Sequence, residues 1–513
     1  MDPAHATTLD QRSASAYPTR PSTKQLWMLL AATLAVAAGL LVYSQTMSFV
    51  WDEGFHLVAA QLINAGKRPY LDFCFPQTPL NAYWNAAAMR FLGETWRVTH
   101  VFAALLVTGA AFLTADFVFR SFPIPRWRLA GGLVALFLVA MNTNAVQFGT
   151  AGQAYGMCLF LSVAAYRVTV LAARTQRPFA ALAAGFFAGA AAGCSLLTAP
   201  EALVLLVWIA LRVSSPARWR AIACFAVGLI IPFAPVLWLF AQGPRQVFFN
   251  VIQYQAIYRR VNWKGATTHD IDVLSAWLVS AQTLFLGILA IAGAVFLFKK
   301  ARWDSGRRAE FALAFWLAVV LTVYIAIAHP TFERYFVFVA PFAAIVAVAG
   351  CYDLASRLFN ADRPFWPCAA LMLILALALG RALFDDRDSV TWKDYESIAK
   401  KVADVTPPHG RIYADELVYF LLHRAPPPGM EFSYSHKLEL PPAQEKLYHI
   451  VSDKELAAQV KAGYFDTVQS CNDDMIDKLG LDQIFPKKAE IVDCDIYWGK
   501  PPVQAAISAK PAH

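Results

Sequence analysis

Eleven apolar stretches of near-spanning length, at roughly 25–44, 98–119, 129–148, 153–172, 179–197, 199–212, 220–241, 273–298, 310–328, 335–353 and 365–384, constrain this chain more than any motif does. Only helices and closed barrels satisfy their backbone within a bilayer, and runs of about 20 residues suit helices. The composition points the same way: of 513 residues, 58% are hydrophobic and 16% charged, too apolar for water-soluble domains. The reading is a polytopic α-helical membrane protein of about 11 spans. The sixth run is short and opens at Pro200-Glu201, so the alternative is a broken continuation of the fifth, which would invert the topology downstream.

Charge arbitrates. If residues 1–24 are cytoplasmic (Arg12, Arg20, Lys24), every second loop is basic: Arg120/Arg126/Arg128, Arg174/Arg177, Arg212/Arg218/Arg220, Lys299/Lys300/Arg302/Arg307/Arg308 and Arg357/Arg363. Cytoplasmic loops carry that bias, which favours eleven separate spans. No secretory cleavage pattern follows the first run, which reads as a retained anchor. Residues 1–384 hold 29 basic and 15 acidic side chains, residues 385–513 hold 15 and 21. The overall charge of +8 therefore belongs to the membrane part, and no nucleic-acid partner is expected.

This topology puts residues 45–97, residues 242–272 and the tail 385–513 outside. Long loops confined to one face make the outer face the active one. In the first loop, Phe55, Val58, Ala59, Leu62 and Ile63 repeat at helical spacing, as expected of an interfacial helix, and a second helix fits Asn81–Phe91. The tail alternates short apolar runs with polar helical stretches and reads as a small extracytoplasmic α/β domain. Of eight cysteines, five lie in or beside spans, while Cys74, Cys471 and Cys494 lie outside. A Cys471–Cys494 disulfide and two free thiols both remain open.

Three clusters carry chemistry. Asp52-Glu53 follows the first span, where Asp52 suits a general base and Glu53 could position it or hold a cation; the alternative is two acidic residues favouring a helix start. Arg259, Arg260 and Lys264 sit in an outer loop with Tyr254, Tyr258, Trp263, His269 and Asp270, cations and aromatics suited to an anionic lipid phosphate or to ordinary phospholipid anchoring. His329-Pro-Thr-Phe-Glu333-Arg334-Tyr335 forms a short outer turn whose arginine needs a partner, either a ligand phosphate, Glu333 or Asp52.

These residues and the topology resemble the GT-C superfamily of membrane glycosyltransferases, in particular the bacterial relatives of dolichyl-phosphate-mannose protein mannosyltransferases and of the aminoarabinose transferase. The similarity spans residues 25–384 and is sharpest over 51–100: Asp52-Glu53, Gly66-Lys-Arg-Pro-Tyr-Leu-Asp72-Phe73, Pro79-Leu-Asn-Ala-Tyr-Trp84, then Gly93 and Trp96-Arg97. The resemblance implies that Asp52 is the catalytic base, that the donor is a sugar on a polyprenyl phosphate, and that transfer inverts the anomeric centre on the extracytoplasmic side. It also implies that Arg334 and Tyr335 lie near the lipid phosphate; Arg259, Arg260, Lys264 and Arg97 are expected as further phosphate contacts.

Two departures bear on specificity. The resembling enzymes often carry a cation before Pro-Leu where this chain has Gln77, so that contact is lost or comes from Lys67, Arg68 or His56. Many carry an acidic residue opening the fourth span, where Gln153 stands here. His56, Gln77, His329 and Gln153 are therefore expected to bind substrate. No nucleotide motif of the GxxxxGK[ST] or GxGxxG type stands out, no Cys/His spacing suggests zinc, and no cofactor is required; a divalent metal at Asp52/Glu53 is not expected. The first rival is a lipid transporter or flippase, disfavoured because no hydropathy repeat is visible. The second is a non-catalytic sensor whose tail binds a partner.

Overall fold

The computed structural model describes residues 22–301, 303–358, 364–387 and 389–499. Arg12, Arg20, Arg302 and Arg363, which entered the charge count, lie outside the described residues.

Among the described residues, eight helices are long and apolar enough to cross a membrane: α1 (Thr23–Thr46), α4 (Trp96–Ser121), Ala154–Thr175, Ser215–Gln242, Ala281–Lys299, Ser305–Ala326, Glu333–Leu358 and Phe365–Asp385. This is a multi-pass membrane protein. The other three expected spans are shorter. The 179–197 and 199–212 runs form the helices Pro178–Cys194 and Ala199–Arg212, separated by a tight turn at Leu196–Thr198. The 129–148 run becomes Arg128–Ala140 followed by a separate turn of helix at Thr143–Gln147, because the Asn142 side chain accepts from Ala145 N and starts a new helix there. Ser280 likewise divides the 273–298 run by capping the helix Ala281–Val295.

The core is centred on the Glu333–Leu358 helix, whose apolar window is 94% buried, whereas α1 at 11% and Phe365–Asp385 at 17% stand at the edge. Small residues set the closest helix contacts, since dispersion rather than water exclusion joins helices within lipid. Where Pro178–Cys194 crosses Ser215–Ile230, a Cβ on Gly185 would lie 2.0 Å from Phe225 O, and one on Gly228 would lie 2.0 Å from Leu182 O.

Residues 45–97 fold into α2 (Glu53–Asn64) and α3 (Leu80–Leu92). Helix α2 forms where the apolar periodicity put it, but it does not lie open at the interface: nine of its twelve residues are buried. Its outer face is covered by the tail helix Glu416–Leu421, with Leu417 N only 3.1 Å from where a Cβ on Gly54 would stand and Gln61 Nε2 donating to Phe420 O at 3.0 Å. Phe55, Leu57 and Val58 thereby share one apolar core with Trp392, Tyr395, Val418 and Phe420.

The tail builds a four-stranded sheet from β1 (Ile412–Tyr413), β2 (Thr467–Ser470), β3 (Lys487–Ile491) and β4 (Cys494–Trp498), in the order β1-β2-β4-β3. The β1/β2 pair is parallel and the other two antiparallel, with Val468 opposite Tyr497. Cys471 and Cys494 are joined as a disulfide where β2 ends and β4 begins.

Gly228→Val should cost about 1–3 kcal/mol of stability by forcing this helix pair apart. Thermal unfolding in detergent checks it, with Gly39→Val on the open face of α1, where a Cβ meets nothing within 4 Å, expected to be near neutral.

Candidate active site

Asp52 ends the turn that leads from α1 into α2. Its backbone is already helical and its side chain makes no capping bond, so helix initiation does not occupy it. The carboxylate is held from two sides instead. Arg334 Nη2 donates to Oδ2 at 2.5 Å, and the phenol of Tyr434, from the tail, donates to Oδ1 at 2.7 Å. Arg334 also lies 4.5 Å over the Phe332 ring, and its own pairing with Asp52 leaves Nε without a partner.

Glu53, one residue on, faces the other way and is fully buried. Its oxygens accept from Gly152 N at 2.7 Å and meet His100 Nε2 at 2.8 Å, while His100 Nδ1 lies 2.6 Å from Ser44 O. A Cβ on Gly152 would sit 2.6 Å from Glu53 Oε1, so only glycine admits this contact. Glu53 therefore links the start of α2 to α4 and the 149–153 loop, and by way of His100 to α1.

Two cavities meet at Asp52 and Arg334. The first, about 460 Å³, opens toward the membrane helices and is lined by His56, Gln77, Gln153, Tyr155, Arg259, Arg260, His329 and Tyr335, with Leu196, Leu197 and Ile252 supplying apolar wall. The second, about 600 Å³, is roofed by the tail residues Phe432, Tyr434 and Lys437 and walled by Trp51, Phe148, Trp263 and Phe332. Gln77, Gln255 and Arg259 border both.

Arg259 donates to the Tyr335 hydroxyl, and the Lys437 ammonium donates to the Arg259 carbonyl. Burial, aided by the Arg259 charge, lowers the Lys437 pKa from the ordinary lysine value. Burial pushes the His56 imidazole down to about 4 against the opposing pull of Asp52, so it is neutral at physiological pH. His329 lines the first cavity but is engaged by Asp270, whose other oxygen accepts from Thr331 N at 2.7 Å.

Two expected phosphate contacts lie elsewhere. Arg97 turns onto the Trp96 ring and toward Glu396 at 3.6 Å, because the tail helix Trp392–Val405 offers it a carboxylate on that side. Lys264 is exposed and borders neither cavity. Tyr155, Gln255, Tyr434, Lys437 and His100 were not singled out from sequence. The Gln153 neighbour Tyr155 was within reach of that reading, but nothing local links the tail segment 432–437 to the first loop. Among the described residues, no three His, Cys, Asp or Glu side chains gather as a metal-ligand set.

The same arrangement of helices occurs in solved proteins. ArnT from Cupriavidus metallidurans in the apo state superposes with a TM-score of 0.66 at 15% identity, covering 93% of this chain and 98% of that one. The GT-C fold is shared. The same protein bound to undecaprenyl phosphate gives 0.61 at 14% identity over 93% and 98% of the two chains. No protein-family profile matches the sequence, and no curated protein does. Within the GT-C fold the coverage includes the tail, so the sheet region is part of the shared architecture and not an appendage peculiar to this chain.

The tail roof contains a buried carboxyl, Glu431, that accepts from Gly429 N at 2.8 Å and that burial raises to about 7. Between the ordinary glutamate value and about 7 the folded chain holds a proton that the unfolded chain has released, so this group's contribution to stability falls as pH rises through that window. Glu431→Gln should flatten the dependence and raise the melting temperature at pH 8 relative to pH 5, read by thermal unfolding at both pH values.

Proposed function

We propose that this protein is an inverting glycosyltransferase that moves a sugar from a polyprenyl phosphate to an acceptor hydroxyl on the extracytoplasmic face of a cell membrane. The observation that carries the reading is Asp52: a carboxylate free of any capping role, at the junction of two cavities, paired with a half-buried arginine. The GT-C fold and the undecaprenyl phosphate bound in ArnT support a lipid-linked donor.

In this mechanism the donor phosphate enters the first cavity from the membrane helices and is met by Arg334, Arg259 and the Tyr335 hydroxyl, with Arg260 at the rim. The acceptor arrives through the second cavity, beneath the tail. Its hydroxyl takes the place of the Tyr434 phenol on Asp52 Oδ1 and gives up its proton there as its oxygen attacks the anomeric carbon. The bond from that carbon to the phosphate oxygen breaks on the opposite side, and the arginines hold the charge that develops on the departing phosphate. The arginines meet that charge directly, so no metal or other cofactor is required. Arg334 touches both halves of the reaction: it orients the base in the resting state and faces the leaving group during transfer. The topology that accompanies this reading is a cytoplasmic N-terminus, with the loops at 45–97 and 242–272 and the unit 385–513 on the outer side.

Asp52→Asn keeps the shape and removes the base, so transfer should fall by about 10²–10⁴ while binding of undecaprenyl phosphate persists. The measurement is release of free polyprenyl phosphate in proteoliposomes, from a panel of labelled lipid-linked sugars with membrane extract as acceptor. Labelled lipid crossing the bilayer with no release by either protein would instead make the chain a transporter. Tyr434→Phe in the same assay should lower the acceptor KM and leave the donor KM unchanged, because it removes the group that competes with the acceptor hydroxyl for Asp52.

A further inference from the structure

Two side chains lining the first cavity carry hydrogen-bonding atoms with no partner among the described residues. Gln153 is 3% exposed, and neither its Oε1 nor its Nε2 is bonded. It occupies the N-cap position of the Ala154–Thr175 helix, where side chains ordinarily turn back onto the first turn, yet it caps nothing. His56 is 6% exposed and its Nδ1 is equally unpartnered. Both border the cavity that also contains Asp52 and Arg334. Unpaired buried polar atoms are costly, and a chain keeps several around one cavity where a ligand completes them.

The chemistry of those atoms selects the ligand. A phosphodiester oxygen accepts but cannot donate, which leaves Gln153 Oε1 unsatisfied. An ammonium donates but cannot accept, which leaves Nε2 unsatisfied. A hydroxyl does both. Charge narrows the choice further: Asp52 is the one carboxylate among the described residues lining this cavity, against Arg259, Arg260 and Arg334, and His56 is neutral. A cationic sugar would meet an excess of positive charge in a partly desolvated space.

Resting on the transferase reading, we infer that Gln153 and His56 form a neutral socket for the hydroxyl groups of an uncharged sugar. The donor is then a lipid phosphate carrying a neutral hexose or pentose and not one carrying an ammonium group.

The test uses the full chain in nanodiscs and three probes: undecaprenyl phosphate, undecaprenyl-phosphate-linked glucose, and the same lipid phosphate linked to an amino-deoxy pentose. Equilibrium binding should favour the glucose lipid over the other two by about tenfold, the scale of one or two neutral hydrogen bonds. Gln153→Met should remove that preference and leave affinity for bare undecaprenyl phosphate unchanged, which also reports that the variant is folded. Gln153→Glu should shift preference toward the amino sugar. The inference is overturned if the amino sugar binds as tightly as glucose, or if Gln153→Met weakens the bare lipid as much as the glucose lipid, the behaviour of a merely structural residue. Equal binding of bare and glucosylated lipid would remove the socket and leave the donor reading standing. Failure of the wild type to bind any of the three would remove both.

Discussion

The buried pair Glu53–His100 is the constraint on which the placement of Asp52 and helix α2 depends. A carboxylate with no exposure survives only when its oxygens are satisfied, and here they are held by His100 on α4 and by Gly152 N ahead of the Ala154–Thr175 helix, while His100 reaches back to Ser44 on α1. Two separate stretches of chain meet on Glu53, and a third joins them through His100. The neighbouring Asp52 is consequently placed where the two cavities meet, between Arg334 and Tyr434. Exchanging the two roles is impossible on this backbone, since adjacent residues at a helix start point in different directions.

Around Asp52 the division of labour follows the division of the chain. The membrane helices and the 242–272 loop contribute cations and neutral amides to one cavity, and the tail contributes the roof of the other. The tail is bound to the first loop by a shared apolar core and by a helix lying within van der Waals reach of Gly54. Its placement is thus fixed by packing, and the Tyr434–Asp52 bond is a consequence of that packing more than its cause.

Much of the membrane part was legible because hydropathy is a local signal. Helix α2 was legible from the spacing of Phe55, Val58 and Leu62, but its burial was not, since the residues that cover it lie more than 300 positions away, as the Gln61–Phe420 bond illustrates. The long run at 129–148 misled because hydropathy ignores Asn142, which stops one helix and starts another. Asp52 and Arg334 could each be singled out from their positions at span ends. Arg97 and Lys264 could be too, and neither reaches the cavities: composition tells which loop carries a cation, while the direction of a side chain is decided by partners such as Glu396. Glu53 shows the same limit within a single dipeptide.

The contact between Tyr434 and Asp52 joins residues 382 positions apart. A ribosome making this chain delivers the carboxylate well before the phenol, with the spanning helices that follow α1 inserted in between. Until the tail has emerged and docked, the loop lacks both its cover and the roof of the second cavity. A copy truncated ahead of Tyr434 would therefore present Asp52 in a site without the roof of the second cavity.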